Sequence, residues 1–142
     1  MKNKNCDIKL SKTPLNLNNC FDFVTDAEAG GIALFVGTVR NSTKGKEVSA
    51  LHFSSYSSMA VKELEKIAAT AISQFDILKI AIHHAEGELT IGDIPVIIAV
   101  SSAHRKAAFS ACQFAIDTLK ETVPIWKKEY FEDGAVWVNS TP

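Results

Sequence analysis

One stretch of the sequence ends a helix and begins extended chain: Leu119-Lys120-Glu121-Thr122-Val123-Pro124-Ile125-Trp126-Lys127-Lys128-Glu129. Pro124 cannot continue a helix because it lacks an amide hydrogen, and it restricts the residue before it to extended geometry. The turn that follows would bring Lys127 back toward Lys120, so that two amines face one small space. The alternative is a solvated basic loop, whose charge is partly neutralised by Glu121 and Glu129.

The residues before this stretch carry an apolar stripe with helical spacing. Apolar side chains recur at positions 107, 108, 111, 112, 115, 116 and 119, which predicts a helix over residues 104–120. We expect Ser101 or Ser102 to cap its first turn. His104 and Arg105 add positive charge to a helix end whose free amides already favour anions. This combination favours an anion-binding site over a chance cluster of screened charges.

Periodic runs elsewhere predict the remaining elements. A second amphipathic helix is expected over residues 59–75, capped by Ser57 or Ser58, and a short helix over residues 15–24. Residues 86–93 are rich in turn formers. Strands are expected over six segments: residues 6–10, 32–40, 48–56, 77–83, 95–100 and a short segment after the Asp133-Gly134 turn.

These elements predict a single α+β domain over residues 1–142, with a mixed or largely antiparallel sheet and two main amphipathic helices. At 142 residues and 46% hydrophobic, the chain is long enough to bury a core. Trp126 and Trp137 are expected to be anchors in that core or in an interface.

Composition excludes several classes of protein. A formal net charge of −1 argues against a nucleic-acid binder. No apolar run reaches the ~20 residues of a membrane span, and no apolar segment follows the polar N-terminus as in a secretory signal. Three cysteines without C-x-x-C spacing indicate reduced thiols in a cytoplasmic protein.

The adjacent histidines His83 and His84 are the one tempting metal pair. Neighbouring residues on a strand point to opposite faces of the sheet, so these two rings cannot easily ligate one ion. No second cluster of ligands accompanies them. We therefore expect no metal site.

Cations from separate segments suggest a pocket for a small anionic ligand. Arg40 ends the apolar run 32–40, which is predicted to be a buried strand. The alternative to a binding role is that Arg40 is simply a cation at a strand end, surrounded by water. His104 and Lys120 are sixteen residues apart on the predicted helix, about 24 Å at 1.5 Å per residue. A small molecule cannot easily contact both ends. If one ligand is bound by all five residues of this set, more than one chain should supply them, through a symmetric dimer. The five are Arg40, His104, Arg105, Lys120 and Lys127.

Several motifs occur in one order across roughly residues 28–138. They are Phe35-Val36-Gly37-Thr38-Val39-Arg40, Ser101-Ser102-Ala103-His104-Arg105, Ala107-Ala108-Phe109, Asp117-Thr118-Leu119-Lys120, Val123-Pro124-Ile125-Trp126-Lys127-Lys128-Glu129, Asp133-Gly134 and Trp137-Val138. In this order and at this spacing they resemble the large, catalytic subunit of molybdopterin synthase. The Pro-x-Trp-Lys-Lys-Glu segment together with His-Arg makes the resemblance specific.

The resemblance implies an α/β-hammerhead fold and a sulfurtransferase of molybdenum-cofactor biosynthesis with no cofactor of its own. Such enzymes convert cyclic pyranopterin monophosphate into molybdopterin by inserting two sulfurs as a dithiolene. The sulfur arrives as a thiocarboxylate on the C-terminal Gly-Gly of a ubiquitin-like small subunit, whose tail enters a pocket of the large subunit. A homodimer of large subunits with a small subunit at each end forms a heterotetramer.

The same resemblance implies roles for individual residues. Lys120 and Lys127 match the two functional lysines of the family. One would hold the thiocarboxylate while the other stabilises developing charge or moves a proton. Burial beside other cations would lower a lysine pKa toward neutrality. The expected substrate-binding residues are Thr38, Val39, Arg40, His104, Arg105, Lys128 and Glu129.

The sequence departs from the family pattern at a few positions. Ser54 stands where an acidic residue is frequent, Ala85 where arginine usually follows the histidine, and Asn139-Ser140-Thr141 where some members have a further arginine. Two other functions stay open. One is a non-catalytic dimeric module that binds the tail of a ubiquitin-like partner. The other is a phosphate-ester enzyme, which would need a metal or a nucleophile that the sequence does not display.

Overall fold

The computed structural model describes residues 3–132 and 134–139, and within them the chain forms nine strands and three helices. In chain order these are β1 (Cys6–Ser11), α1 (Leu17–Val24), β2 (Gly31–Gly37), β3 (Ser42–Thr43), β4 (Lys46–Ser55), α2 (Ser57–Gln74), β5 (Lys79–Ala85), β6 (Gly87–Thr90), β7 (Val96–Ser102), α3 (Arg105–Thr122), β8 (Ile125–Phe131) and β9 (Gly134–Asn139). The predicted α+β class and the two long amphipathic helices, α2 and α3, are confirmed. None of the helices in the described ranges is long and apolar enough to cross a membrane.

The first sheet has the strand order β1-β5-β7-β2. Strand β1 runs parallel to β5, whereas the other two pairings are antiparallel, so the expected mixed sheet is confirmed. Successive side chains of a strand point to opposite faces. Accordingly Ala81, Ile97 and Ala99 pack with α1, while the alternate positions of β5 and β7 pack into the main core with α2 and α3.

The second sheet has the order β3-β4-β8-β9, with β6 paired to β4. Three of these strands, β3, β6 and β8, were not among the predicted elements, and residues 86–93 contain β6 instead of turns alone. Strand β8 carries Lys127-Lys128-Glu129 in place of an apolar alternation, and its pairing with β4 and β9 makes it a strand. The last predicted strand is confirmed as β9, although Asp133 of its turn lies outside the described residues, as do Ser140 and Thr141.

The predicted serine caps are wrong for both long helices. Ser101 and Ser102 lie buried within β7, and the N-cap of α3 is His104, whose side chain makes no capping bond. The Ser102 hydroxyl donates to the His104 carbonyl at 2.5 Å instead. Helix α2 begins at Ser57 itself, with Tyr56 as N-cap and again no side-chain cap. Ser101 and Ser102 therefore belong to the preceding strand, while Ser57 and Ser58 form the first turn of the helix they were expected to cap.

The apolar run over residues 32–40 is not the buried strand that was expected. Strand β2 ends at Gly37 and lies at the edge of the first sheet, where Leu34 and Phe35 are 42% and 37% exposed. Trp126 and Trp137 are also exposed, at 47% and 57%, so neither is a core anchor of this chain. These side chains form apolar surface that a partner could cover.

Candidate functional site

A cavity of ≈ 680 Å³ opens where the end of β2, the middle of β4, the end of α3 and the start of β8 meet. This volume lies within the range of sites that bind small molecules. One part of the wall is apolar, formed by Phe35, Leu51, Phe53, Pro95, Val96 and Ile116. The other part is polar and mostly charged, formed by Thr38, Arg40, His84, Asp117, Lys120, Glu121 and Lys127.

The turn between α3 and β8 brings the two predicted lysines into this cavity. Helix α3 ends as the Val123 amide donates to the Leu119 carbonyl at 3.1 Å, and the Ile125 amide then donates to the Val123 carbonyl at 2.8 Å. Val123 and Ile125 are buried on either side of Pro124, which fixes the turn. Lys120 on the last turn of α3 and Lys127 on β8 therefore line one wall, as the position of Pro124 predicted.

Burial lowers the pKa of Lys120, and the positive charge of Lys127 lowers it further. Both effects disfavour the ammonium form, the first by removing water and the second by repulsion between like charges. Lys120 is consequently easier to deprotonate than a lysine in water. An amine of this kind can stabilise a negative charge when protonated and can also release its proton to a reacting group.

The other predicted site residues fall into separate places. Thr38 and Arg40 line the cavity, whereas Val39 between them is buried in the core. The Lys128 amine lies over the rings of Tyr130 and Trp137, 5.5 and 5.3 Å from their centres, and does not line the cavity.

Glu129 does not line the cavity either. Its side chain is buried, and its carboxylate accepts a 2.7 Å hydrogen bond from the Thr43 hydroxyl of β3. The contact ties β8 to β3 and gives Glu129 a structural role within one copy of the chain. A direct contact between substrate and Lys128 or Glu129 stays a prediction, because neither residue lines the cavity.

His104 and Arg105 lie at the opposite end of α3 and are exposed. Neither lines the cavity of the same chain. This placement follows from the length of the helix, which runs from Arg105 to Thr122 with Lys120 in its last turn. One copy of the chain therefore gathers four of the nine predicted site residues: Thr38, Arg40, Lys120 and Lys127.

Comparison with known proteins identifies the family. The family model described as MoaE protein matches residues 10–122 of the chain. A molybdopterin synthase catalytic subunit from Dictyostelium discoideum is 44% identical over 130 residues, which cover 90% of this chain and 82% of that protein. The chain belongs to the MoaE protein family. The family resemblance that its motifs indicated is thereby confirmed.

Solved structures agree with this assignment to the MoaE family. A molybdopterin synthase structure from Staphylococcus aureus matches with a TM-score of 0.84 and 38% identity, covering 97% of this chain and 98% of that one. A chain in a complex of subunits 1 and 2 of molybdopterin-converting factor from Helicobacter pylori matches with a TM-score of 0.74. At 20% identity over 94% of this chain and 89% of that one, the second match is a likeness of fold.

Two of the departures of this MoaE chain from the family pattern, Ser54 and Ala85, lie beside the cavity wall and not in it. Ser54 lies opposite Trp126 in the pairing of β4 with β8, and Ala85 is buried at the end of β5. Neither residue lines the ≈ 680 Å³ cavity. Asn139 ends β9 and pairs with Trp126, the neighbour of the lining residue Lys127. The substitutions at Ser54 and Ala85 therefore do not change which side chains line the cavity.

Sequence reasoning missed His84 as a site residue, having considered it only as a metal ligand. His84 is 2% exposed and forms part of the cavity wall. His83 points to the other face of the sheet, where its Nε2 lies 3.0 Å from the Asp7 carboxylate, as the strand alternation predicted. Within the described ranges, no three His, Cys, Asp or Glu side chains are grouped so that they could hold a metal ion.

Acid is expected to destabilise this MoaE fold through His84. Burial lowers the pKa of His84 to about 4 from its ordinary 6.5, so between these values the unfolded chain binds a proton that the folded chain does not. The stability is fully present above that window and is lost as pH falls through it, at up to about 1.4 kcal/mol per pH unit. Urea unfolding at a series of pH values measures this slope.

His84→Gln should flatten the slope, and the part that remains should be due to His83. Burial lowers the pKa of His83 as well, although its hydrogen bond to Asp7 opposes that shift. His104→Gln is the matched control, because this histidine is exposed and its side chain makes no capping hydrogen bond. Identical slopes for the wild type and His84→Gln would show that the buried ring does not govern the acid sensitivity.

Proposed function

We infer that this protein is the catalytic subunit of a molybdopterin synthase, which transfers sulfur to cyclic pyranopterin monophosphate to form the dithiolene of molybdopterin. The observation that carries this inference is the convergence of Lys120 and Lys127 on one cavity in a chain of the MoaE family. The cavity is large enough for a small phosphorylated ligand, and it offers both charged groups and an apolar wall.

The sulfur donor we propose is a small subunit that ends in a thiocarboxylate. The Helicobacter pylori structure, a complex of subunits 1 and 2 of molybdopterin-converting factor, supports the existence of a separate partner subunit. A thiocarboxylate is an anion, and a cationic wall formed by Lys120, Lys127 and Arg40 would attract it. None of the buried cysteines of this chain, Cys6, Cys20 and Cys112, is needed as the source of sulfur.

The proposed sulfur transfer requires charge stabilisation in two steps. When the thiocarboxylate sulfur bonds to a carbon of the pterin side chain, an oxygen leaves that carbon and needs a proton. When water then cleaves the acyl–sulfur bond, a tetrahedral oxyanion forms, the small subunit leaves as a carboxylate, and the sulfur stays on the product. Protonated Lys120 and Lys127 can meet both needs, and the apolar wall at Phe35 and Phe53 strengthens their electrostatic effect by excluding water.

The remaining predicted substrate contacts require a second copy of the chain. His104 and Arg105 are exposed at the far end of α3, where they cannot contact a ligand held by Lys120 of the same copy. The edge strand β2 presents Leu34 and Phe35, and α3 presents Phe109, as exposed apolar surface. A homodimer would cover such surface. It would also bring a second His104 and Arg105 toward a cavity.

The proposed function predicts that the dithiolene product forms when this protein is mixed with thiocarboxylated small subunit and cyclic pyranopterin monophosphate. Conversion of the product to a fluorescent oxidised pterin, with the mass of the small subunit tail followed in parallel, measures both half-reactions. The control is a small subunit that ends in an ordinary carboxylate, which should give no product. Binding of the small subunit without consumption of its sulfur would contradict an enzymatic role and leave a binding module.

A further inference from the structure

His84 is a buried titratable group on the cavity wall to which the proposed chemistry gives no role. It lies on β5, between β1 and β7, and only 2% of its surface is exposed. Its Nδ1 atom lies 2.7 Å from the Ala85 carbonyl oxygen. A carbonyl oxygen can only accept a hydrogen bond, so Nδ1 must carry the hydrogen. In the neutral ring Nε2 is then unprotonated and is itself an acceptor.

The ring is held in place from two sides. The bond to the Ala85 carbonyl fixes one edge, and Phe53 contacts the ring edge-to-face with centroids 5.2 Å apart and an interplanar angle of 77°. A buried imidazole fixed in this way presents one nitrogen in a constant direction. The ring also belongs to the cavity wall. An acceptor fixed at that wall suits a donor that lines the same cavity.

Burial keeps the ring neutral. The pKa of His84 is lowered to about 4, mainly because the ring is buried. The charge of Lys120 also lowers this pKa, whereas the hydrogen bond to the Ala85 carbonyl and the charge of Glu86 raise it. The other charged groups that line the same cavity are Arg40 after β2, Asp117 and Glu121 on α3, and Lys127 on β8. At neutral pH the cavity wall therefore contains an uncharged acceptor and a partly buried ammonium group, that of Lys120.

We propose that His84 is a positioning residue for Lys120, whose ammonium group donates a hydrogen bond to the unprotonated Nε2 of the ring. This contact would hold the amine at the inner wall of the cavity, facing the space where Lys127 also points. It would also favour the ammonium form and so oppose the effect of burial. The consequence for sulfur transfer rests on the proposed function, whereas the contact itself does not.

Two substitutions separate the two ring nitrogens. His84→Asn keeps an N–H group near the position of Nδ1 and removes the acceptor at Nε2. His84→Gln places an amide oxygen near the position of Nε2 and so keeps an acceptor for Lys120. A purely structural role would make both variants similar in their properties, because both replace a buried ring by a smaller amide.

The experiment measures the pKa of Lys120 from the pH dependence of its reaction with an amine-reactive reagent, followed by peptide mass spectrometry. Loss of the acceptor destabilises the ammonium, so His84→Asn should lower this pKa by about one pH unit and make labelling about tenfold faster at a fixed pH. His84→Gln should restore the wild-type rate to within about twofold. Equal rates in wild type and His84→Asn, or slower labelling in the variant, would overturn the proposal.

A second measurement avoids any change to the buried ring. Nitrogen NMR of the wild type should show His84 with its hydrogen on Nδ1, and Lys120→Met should move the Nε2 resonance toward that of an unbonded nitrogen. An unchanged resonance would remove the contact. Both measurements use the large subunit alone, so they can succeed even if no sulfur transfer is found.

Where transfer is found, His84→Asn should lower kcat about tenfold with little change in KM.

Discussion

Lys120→Ala is expected to lower the rate of dithiolene formation by about a thousandfold, because one side chain supplies both positive charge and a transferable proton. The structure places this amine on the cavity wall with Lys127, and burial together with the neighbouring charge lowers its pKa. Alanine removes the amine without entering the core, so the fold should persist. Single-turnover kinetics with thiocarboxylated small subunit separate this loss from slow product release.

Two matched variants show what Lys120 contributes. Lys120→Arg keeps the positive charge but cannot release a proton, so activity retained by arginine would assign an electrostatic role alone. Lys62→Ala removes an exposed lysine of α2 and should leave the rate unchanged. Normal turnover by Lys120→Ala, with an intact fold by circular dichroism, would exclude Lys120 from the reaction.

The convergence of the two lysines could be predicted because a local rule governs it. Pro124 ends α3 whatever surrounds it, and the extended chain that follows has to turn back over the sheet. The stripe of α3 and the buried positions of α2 were equally predictable, since their spacing of three and four residues needs no knowledge of tertiary contacts. The predicted end of α3 thereby located the part of the cavity wall that α3 and β8 supply: Ile116, Asp117, Lys120, Glu121 and Lys127.

Strands β6 and β8 could not be predicted in the same way. Strand β6 (Gly87–Thr90) is only four residues long and contains the charged Glu88, while β8 (Ile125–Phe131) contains three consecutive charged residues. Both become strands by pairing with β4. Tertiary pairing here overrides local preference. The same reason explains the edge strand β2: its apolar run suits a buried strand, but only the strand order shows that one side of it is unpaired.

The composition of the site was harder still to predict. Thr38, Val39 and Arg40 are consecutive, yet the end of β2 directs the outer two to the cavity and the middle one to the core. His84 joined the wall because its neighbours on β5 set the alternation, and nothing in the adjacent pair His83-His84 indicates which ring faces the cavity. His104 and Arg105 lie at the far end of α3 from Lys120. In the proposed dimer a second copy would bring them to the cavity, and no local feature of the sequence specifies that contact.

Gly30→Ala is expected to destabilise the protein by about 3 kcal/mol, the upper end of what overpacking usually costs. A Cβ atom on Gly30 would overlap the carbonyl oxygen of Ala103 and would lie 3.3 Å from its carbonyl carbon. The Gly30 amide also donates to the Ser102 carbonyl at 3.0 Å, which fixes the two segments together. The obstacle is backbone and not a flexible side chain, so a rotamer change cannot relieve it. Thermal unfolding should show a midpoint lower by roughly 10 °C.

Gly31→Ala is the matched control, because it differs from Gly30→Ala only in position. A Cβ on Gly31 would lie 3.6 Å from the Cα and Cβ atoms of Arg105, an ordinary van der Waals contact, so its stability should change by no more than about 0.5 kcal/mol. Ala103 immediately precedes His104, the N-cap of α3, and a collision at Gly30 must displace that helix start. Equal midpoints for the two variants would mean that the start of α3 moves freely. A fixed position for His104 and Arg105 could then no longer be assumed in the proposed dimeric site.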